Sequence, residues 1–271
     1  MKMLFALFLV FVASCFAKEP MLLKVYKGDE NLSTWMMSEK LDGVRGIWNG
    51  NTLKSRTNLA ISTPKSWLSC FPNFSLDGEI YSRSLDFERI TSIVNSSQDK
   101  GWSELEYHVF DLPNEDGSLI QRLEILRNYL DKNPCPQIKI IEQLPAISHE
   151  NVVKFLDKVT LNGGEGVVVR DPNASYQSGR SDKILKLKKF LDDECEIIKI
   201  NAGRGKFQGF MGSLTCRNLK DAATFKIGSG FSDKMRKNPP AIGTIITYKY
   251  QNLTKNGLPR FPVFLRIREG H

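Results

Sequence analysis

After Lys189 the sequence changes character, and that change limits the possible folds more than any single motif does. Before it, apolar residues recur at helical spacing over 86–97, 118–130 and 148–161, between strand-like runs. After it come five short strand-like runs, at 195–201, 212–217, 224–227, 243–250 and 263–268, parted by glycine-rich or basic turns. Such a succession suits a small five-stranded β-barrel rather than an extension of the front part. Charge divides at the same place. Residues 190–271 hold 14 Lys and Arg against 7 Asp and Glu, whereas residues 1–189 hold 24 against 23. Nearly all of the net +8 therefore belongs to the last third, which points to a polyanion gripped by the tail while the front holds the chemistry.

The first 17 residues read as a leader. Lys2 precedes an apolar run at 4–13, and Cys15, Phe16 and Ala17 supply a signal-peptidase site. Export to the periplasm is the expectation, with a lipid anchor at Cys15 as the alternative, because Val12, Ala13, Ser14 and Cys15 also form a lipoprotein-type box. No later stretch is long and apolar enough to span a bilayer. Export permits disulfides. Cys70, Cys135, Cys195 and Cys216 allow three pairings, and buried free thiols are the other possibility.

The chemistry-bearing blocks come in order along residues 18–189. Ser38 to Gly46 read S-E-K-L-D-G-V-R-G, with Lys40 followed by Asp42, a turn at Gly43 and Arg45. A lysine amine is a nucleophile only when deprotonated, so a catalytic lysine needs neighbours that lower its pKa or accept its proton. Residues 53–61 form a hairpin partner with Arg56 near the turn. In F-S-L-D-G-E-I-Y at 74–81, alternation puts Asp77, Glu79 and Tyr81 on one face, where two carboxylates call for a cation or a hydroxyl ligand. Phe110 and His108 share a face of the strand at 106–112. Ser118 and Ser148 cap helices. Glu165 stands at the mouth of the buried strand E-G-V-V-V-R, and Lys186 and Lys188 lie side by side, a costly arrangement unless an anion sits between them.

Taken in order, these blocks resemble the nucleotidyltransferase superfamily of ATP-dependent DNA ligases and capping enzymes. The resemblance covers essentially all of the mature chain and is nearest to the minimal exported ligases of bacteria. The G-R-G-K-F loop at 203–207, G-S-G-F-S-D at 228–233 and the closing P-R-F-P-V-F-L-R-I-R support that subgroup. It implies an α+β fold: an adenylation domain over 18–189, with antiparallel sheets and packed helices, followed by a five-stranded OB-fold barrel over 190–271. It further implies that Lys40 becomes covalently joined to AMP and that Phe110 stacks on the purine. Glu79 would contact the ribose, and Glu165 with Asp42 would hold Mg²⁺ or Mn²⁺. Lys186 and Lys188 would meet the α-phosphate, with Glu39, Arg45, Arg56 and Arg180 beside the nucleotide.

Arg204, Lys206 and Phe207 are the implied DNA contacts, and Arg266 or Arg268 the pyrophosphate contact. The family's last motif often continues with Asp-Lys, whereas Glu269, Gly270 and His271 follow here. The implied reaction is ATP-dependent sealing of nicked double-stranded DNA by a monomer with no stable protein partner. An RNA ligase, a GTP-using capping enzyme and a non-catalytic DNA-binding protein are the alternatives. Export and the basic tail argue against capping.

Overall fold

The computed structural model describes residues 20–268, so the leader with Cys15, and Glu269, Gly270 and His271, lie outside the described residues. In chain order the front part contains β1 (Met21–Val25), β2 (Met36–Lys40), β3 (Val44–Trp48), β4 (Leu53–Ser55), α1 (Lys65–Leu68), β5 (Leu76–Tyr81) and α2 (Phe87–Val94). It continues through β6 (Glu106–Asp111), α3 (Leu119–Lys132), β7 (Ile138–Ile140), β8 (Leu144–Pro145), α4 (His149–Leu161), β9 (Gly166–Arg170) and β10 (Gly179–Leu187). The rest is β11 (Leu191–Ala202), β12 (Met211–Asn218), β13 (Thr224–Ile227), α5 (Asp233–Lys237), β14 (Ile245–Tyr250) and β15 (Val263–Ile267).

The strands form three five-stranded sheets. The first has the order β1-β10-β9-β2-β8, the second β4-β3-β5-β6-β7, and the third β13-β12-β11-β14-β15. The first two are mixed rather than purely antiparallel as expected. β1 runs parallel to β10, and β7 runs parallel to β6 because α3 carries the chain back across the sheet between them. The third sheet is not closed into a full barrel by ladders. Among the described residues, the segment that follows β13 meets β15 through the isolated parallel bridge of Ser229 with Val263.

Helix ends follow the sequence signals. Ser118 and Gln121 form a reciprocal capping box at the start of α3, and Ser148 accepts the Asn151 N–H at the start of α4. Each of the first two sheets then buries one face against helices. Val167, Val169, Met37 and Leu185 pack on Val152, Leu156 and Val159 of α4. Trp48, Leu76, Ile80, Tyr107 and Val109 pack on Ile90 and Ile93 of α2 and Leu119, Leu123 and Leu126 of α3.

These are two separate apolar cores, and what joins the sheets is polar. Asp111 of β6, fully buried, accepts from Arg122 of α3 at 2.7 and 3.1 Å and also pairs with Arg170 of β9. Burial opposes ionisation of Asp111, but the Arg170 and Arg122 guanidiniums outweigh it and hold the carboxyl below its usual range. A register shift between β5 and β6 sets Asp77 opposite Asp111, which keeps to the buried face of β6 with Tyr107 and Val109.

Cys70 and Cys135 form a disulfide in the second sheet's core, while Cys195 and Cys216 are buried free thiols in the third sheet. The bond spans 65 residues, so replacing both cysteines by serine should cost about 4 kcal/mol on the loop-entropy estimate. Thermal or urea unfolding of the oxidised protein and the double variant checks this, and equal stabilities would contradict it.

Candidate active site

β2 ends at Lys40, opposite Gly166 at the start of β9. Val167 of β9 in turn faces Leu187 of β10. One end of the first sheet therefore collects Lys40, Glu165, Lys186 and Lys188. The Lys40 Nζ donates to Glu165 Oε2 at 2.5 Å, and Lys188 pairs with the other oxygen, Oε1. Glu165 thus bridges two lysines while only 7% exposed. Glycine is required beside it, since a Cβ at Gly166 would lie 2.4 Å from the Leu187 carbonyl oxygen. Gly43 closes the turn after Lys40 for the same reason, with Ile80 O 2.2 Å from its would-be Cβ, which presses this loop onto the second sheet. Lys186 is half-buried, and burial together with Lys188 and Lys40 lowers its pKa. Three ammonium groups around one carboxylate leave positive charge in excess, suited to a phosphate.

The second sheet supplies the facing wall. Glu79 of β5 is half-buried, and burial, only partly offset by Lys40 and Arg45, pushes its carboxyl up to about 7. Phe110 is half-buried rather than in the core, and the Arg45 guanidinium lies 5.3 Å from its ring centre. Arg45 is anchored within this wall. It donates to both oxygens of Asp77 at 2.9 and 2.5 Å and to the Met21 carbonyl at 2.6 Å. Although burial opposes its charge, Asp77 holds it firmly protonated. Tyr176 donates to the same Asp77 at 2.7 Å. Arg45 thus braces the wall behind Phe110, and Asp77 finds the cation that its burial demands.

Other expected residues are dispersed. Strand alternation turns Glu39 to the face opposite Lys40, where its carboxylate lies 3.9 Å from Arg83. Arg56 is exposed on the turn after β4. Arg180 is exposed on β10, and its charge adds to those that lower the Lys186 pKa. Arg266 is exposed on β15 and Arg268 just beyond it, and Arg268 pairs with Glu194 of β11, so among the described residues neither touches the Lys40 cluster. Arg204 and Lys206 are exposed on a short turn, and Phe207 is packed 4.1 Å from the guanidinium of the buried Arg236. Lys237 approaches the exposed Phe210 at 5.6 Å. This basic and aromatic surface suits a nucleic-acid backbone.

The sequence reading missed two contacts from the third-sheet part. Arg260 Nη1 donates to Asp42 Oδ2 at 2.9 Å, and Lys188 Nζ donates to Gln251 Oε1 at 3.3 Å. Arg260 lies in a stretch that looks like a plain proline turn, so distance in sequence hid it. Tyr176, Arg122 and Arg170 were missed as well, since buried ion pairs have no periodic signature.

Carboxylates suit a hard divalent cation. Burial and the nearby charge of Glu165 push the Asp42 carboxyl up, so a cation close to both would be favoured. No cluster of three protein ligands forms among the described residues. A cation here would therefore take much of its shell from phosphate and water, as Mg²⁺ commonly does.

Residues 20–188 match the family model described as ATP dependent DNA ligase domain, and residues 202–268 match that of the DNA ligase OB-like domain. A DNA ligase of Haemophilus influenzae is 44% identical over 264 residues, covering 96% of this chain and 97% of its own. A solved structure of a Lig E DNA ligase superposes with a TM-score of 0.87 at 40% identity, over 92% of this chain and 98% of that one. The Chlorella virus DNA ligase-adenylate superposes with a TM-score of 0.57 at 27% identity, over 94% and 99%.

Proposed function

The chain belongs to the ATP-dependent DNA ligase family, and from that premise we propose that Lys40 is the amine that carries AMP between ATP and a nick. The observation that carries this reading is the Glu165 bridge, which holds the Lys40 amine at 2.5 Å with Lys188 on its other oxygen. Lys40 Nζ gives its proton to Glu165 and forms a bond to the α-phosphorus of ATP. The α–β phosphoanhydride bond breaks, and pyrophosphate leaves. A 5′-phosphate oxygen of the nick then takes the adenylyl group from Lys40, which regains a proton. Finally the 3′-hydroxyl attacks that phosphate, the phosphodiester forms and AMP departs.

Lys186 and Lys188 neutralise phosphoryl charge, Phe110 stacks on the base and Glu79 binds the ribose. Arg45 acts through the wall that it braces. Catalysis of this kind rests mainly on position and charge. Mg²⁺ or Mn²⁺ held by Asp42 and Glu165 would supply further neutralisation of phosphate charge.

The adenylation part is taken as residues 18–189 and the OB part as 190–271, acting together as a monomer. Arg204 and Lys206 hold the DNA backbone. The Cys70–Cys135 disulfide supports an oxidising compartment, in keeping with a periplasmic location, and the mass of the mature N-terminus tests cleavage after Ala17.

Sealing of a nicked duplex, compared side by side with ATP, GTP and NAD⁺, tests the whole reading. ATP should support joining and the other two should not. With about five phosphates neutralised, DNA affinity should fall with salt at a log–log slope of roughly −4. Joining with GTP or NAD⁺ at the ATP rate, or a flat salt response, would contradict the account.

A further inference from the structure

Tyr107, Val109 and Asp111 of β6 are buried, so alternation turns Glu106, His108 and Phe110 to the opposite face, the wall of the candidate site. His108 pairs directly with Glu79 of β5, Glu79 pairs with Arg45 of β3, and on its other side His108 pairs with Lys139 of β7. Arg45, Glu79, His108 and Lys139 therefore form one row across the second sheet. Directly opposed antiparallel residues carry their Cβ atoms about 4.5–5.5 Å apart. His108 thus stands beside Glu79 and two residues from Phe110 on the same face.

The imidazole is held firmly. Its Nε2 lies 3.0 Å from Glu106 Oε2, Lys139 stands 3.5 Å from the other oxygen of Glu106, and Tyr81 meets the ring edge-on, 5.4 Å between centres. The side chain is only 14% exposed. Burial lowers the His108 pKa; Glu106 works against this, while Arg83 and Lys139 add to the lowering. The ring is therefore neutral at neutral pH and carries one proton. Because a carboxylate only accepts, that proton sits on Nε2 and leaves Nδ1 as a bare acceptor. Among the described residues Nδ1 has no hydrogen-bond partner.

An acceptor in this position suits a donor brought by the nucleotide. A ribose brings two neighbouring hydroxyls. Glu79 can meet one of them, but burial pushes its carboxyl up to about 7, and whenever it is protonated it has only one oxygen free to accept. Arg45 cannot meet the other, since a guanidinium has no acceptor and its Nε, Nη1 and Nη2 are taken by Asp77 and the Met21 carbonyl. We propose that His108 accepts, at Nδ1, a hydrogen bond from one hydroxyl of the ATP ribose beside Glu79, with Glu106 as the positioning residue that fixes its tautomer. The inference rests on Phe110 and Glu79 as the nucleoside wall, and it adds a sugar-reading residue to that site.

The test uses the full chain with His108→Gln, His108→Asn and Glu106→Ala. Single-turnover adenylation of Lys40 and equilibrium nucleotide binding are measured with ATP, 2′-deoxyATP and 3′-deoxyATP. In His108→Gln the amide can still reach Glu106 but offers nothing at the place of Nδ1, so adenylation efficiency with ATP should fall about tenfold. The deoxy nucleotide that lacks the hydroxyl read by His108 should lose less than about twofold from the same substitution, because there is no bond left to remove. His108→Asn, whose amide oxygen can stand where Nδ1 does, should keep ATP within about threefold of wild type. Glu106→Ala, which lets the proton move to Nδ1, should show the ATP-selective loss more weakly.

An equal loss for ATP and both deoxy nucleotides in His108→Gln would show a merely structural role and overturn the proposal. No loss with any of the three would overturn it as well, as would His108→Asn as impaired as His108→Gln. Should His108→Gln fail to fold, the same comparison in Glu106→Ala decides, and an equal loss for all three nucleotides there overturns it. A wild-type protein that forms no adduct would refute the reading of Lys40 instead. The binding affinities of the three nucleotides then judge His108 by the same comparison.

Discussion

Lys40→Ala abolishes the covalent nucleotide adduct and, with it, sealing driven by ATP. The expectation is a loss to background rather than a slower rate, because the bond itself disappears with the amine. Lys186 and Lys188 lie close by but cannot substitute. Lys188 is engaged by Glu165 and by Gln251, and Lys186 lies on β10, set apart from Lys40 on β2 by the intervening β9. Only Lys40 ends its strand at the turn where Gly43 brings the two sheets together. Intact-mass measurement after incubation with ATP and Mg²⁺ reads the adduct directly. The same variant should still join a nick supplied already adenylated, since that step needs no lysyl intermediate. A normal adduct in Lys40→Ala would place the nucleophile elsewhere.

Asp111→Ala should be the most damaging substitution for the fold. Asp111 and Arg122 are both fully buried, and Arg170 is 6% exposed at its side chain, so removing the carboxylate strands two guanidiniums without a counter-ion. Breaking one side of a buried pair typically costs about 3–5 kcal/mol, because the remaining charge is left desolvated. The loss falls between the two apolar cores rather than within either, and it frees the first sheet to move against the second. Urea unfolding of Asp111→Ala measures the cost, and a change below about 1 kcal/mol would show that water or another group satisfies the arginines. Nucleotide binding should weaken in parallel, since Lys40 and Glu165 belong to one sheet and Glu79 and Phe110 to the other.

Much of this arrangement could be read in the sequence because its signals are local or periodic. The uniform valine run in E-G-V-V-V-R marked a buried strand, and the structure buries Val167 and Val169 completely. Ser118 and Ser148 announced the starts of α3 and α4 through side-chain capping, which involves only residues three apart. The order of short blocks also brought Lys40, Glu165, Lys186 and Lys188 into one reading before their strands were paired.

What escaped depends on partners far apart in the chain. The Asp111–Arg122–Arg170 cluster joins a strand, a helix and a second sheet, and its partners lie 11 and 59 residues from Asp111. Arg45 and Tyr176 both donate to Asp77, a meeting of three elements that no one of their sequences marks. Arg260 looked like part of a turn, yet it reaches Asp42 across 218 residues. The parallel pairings of β1 with β10 and β6 with β7 likewise leave no mark on either strand alone.

A pulse of ATP labelled in its α-phosphate, followed by a chase of unlabelled ATP with nicked duplex, follows the phosphorus through the whole account. The label should appear first on the protein at Lys40, then on the 5′-phosphate of the nick as AMP, and finally as free AMP when the duplex is sealed. Label that reaches DNA without passing through the protein, or that stays on Lys40 while nicks are sealed, would contradict it.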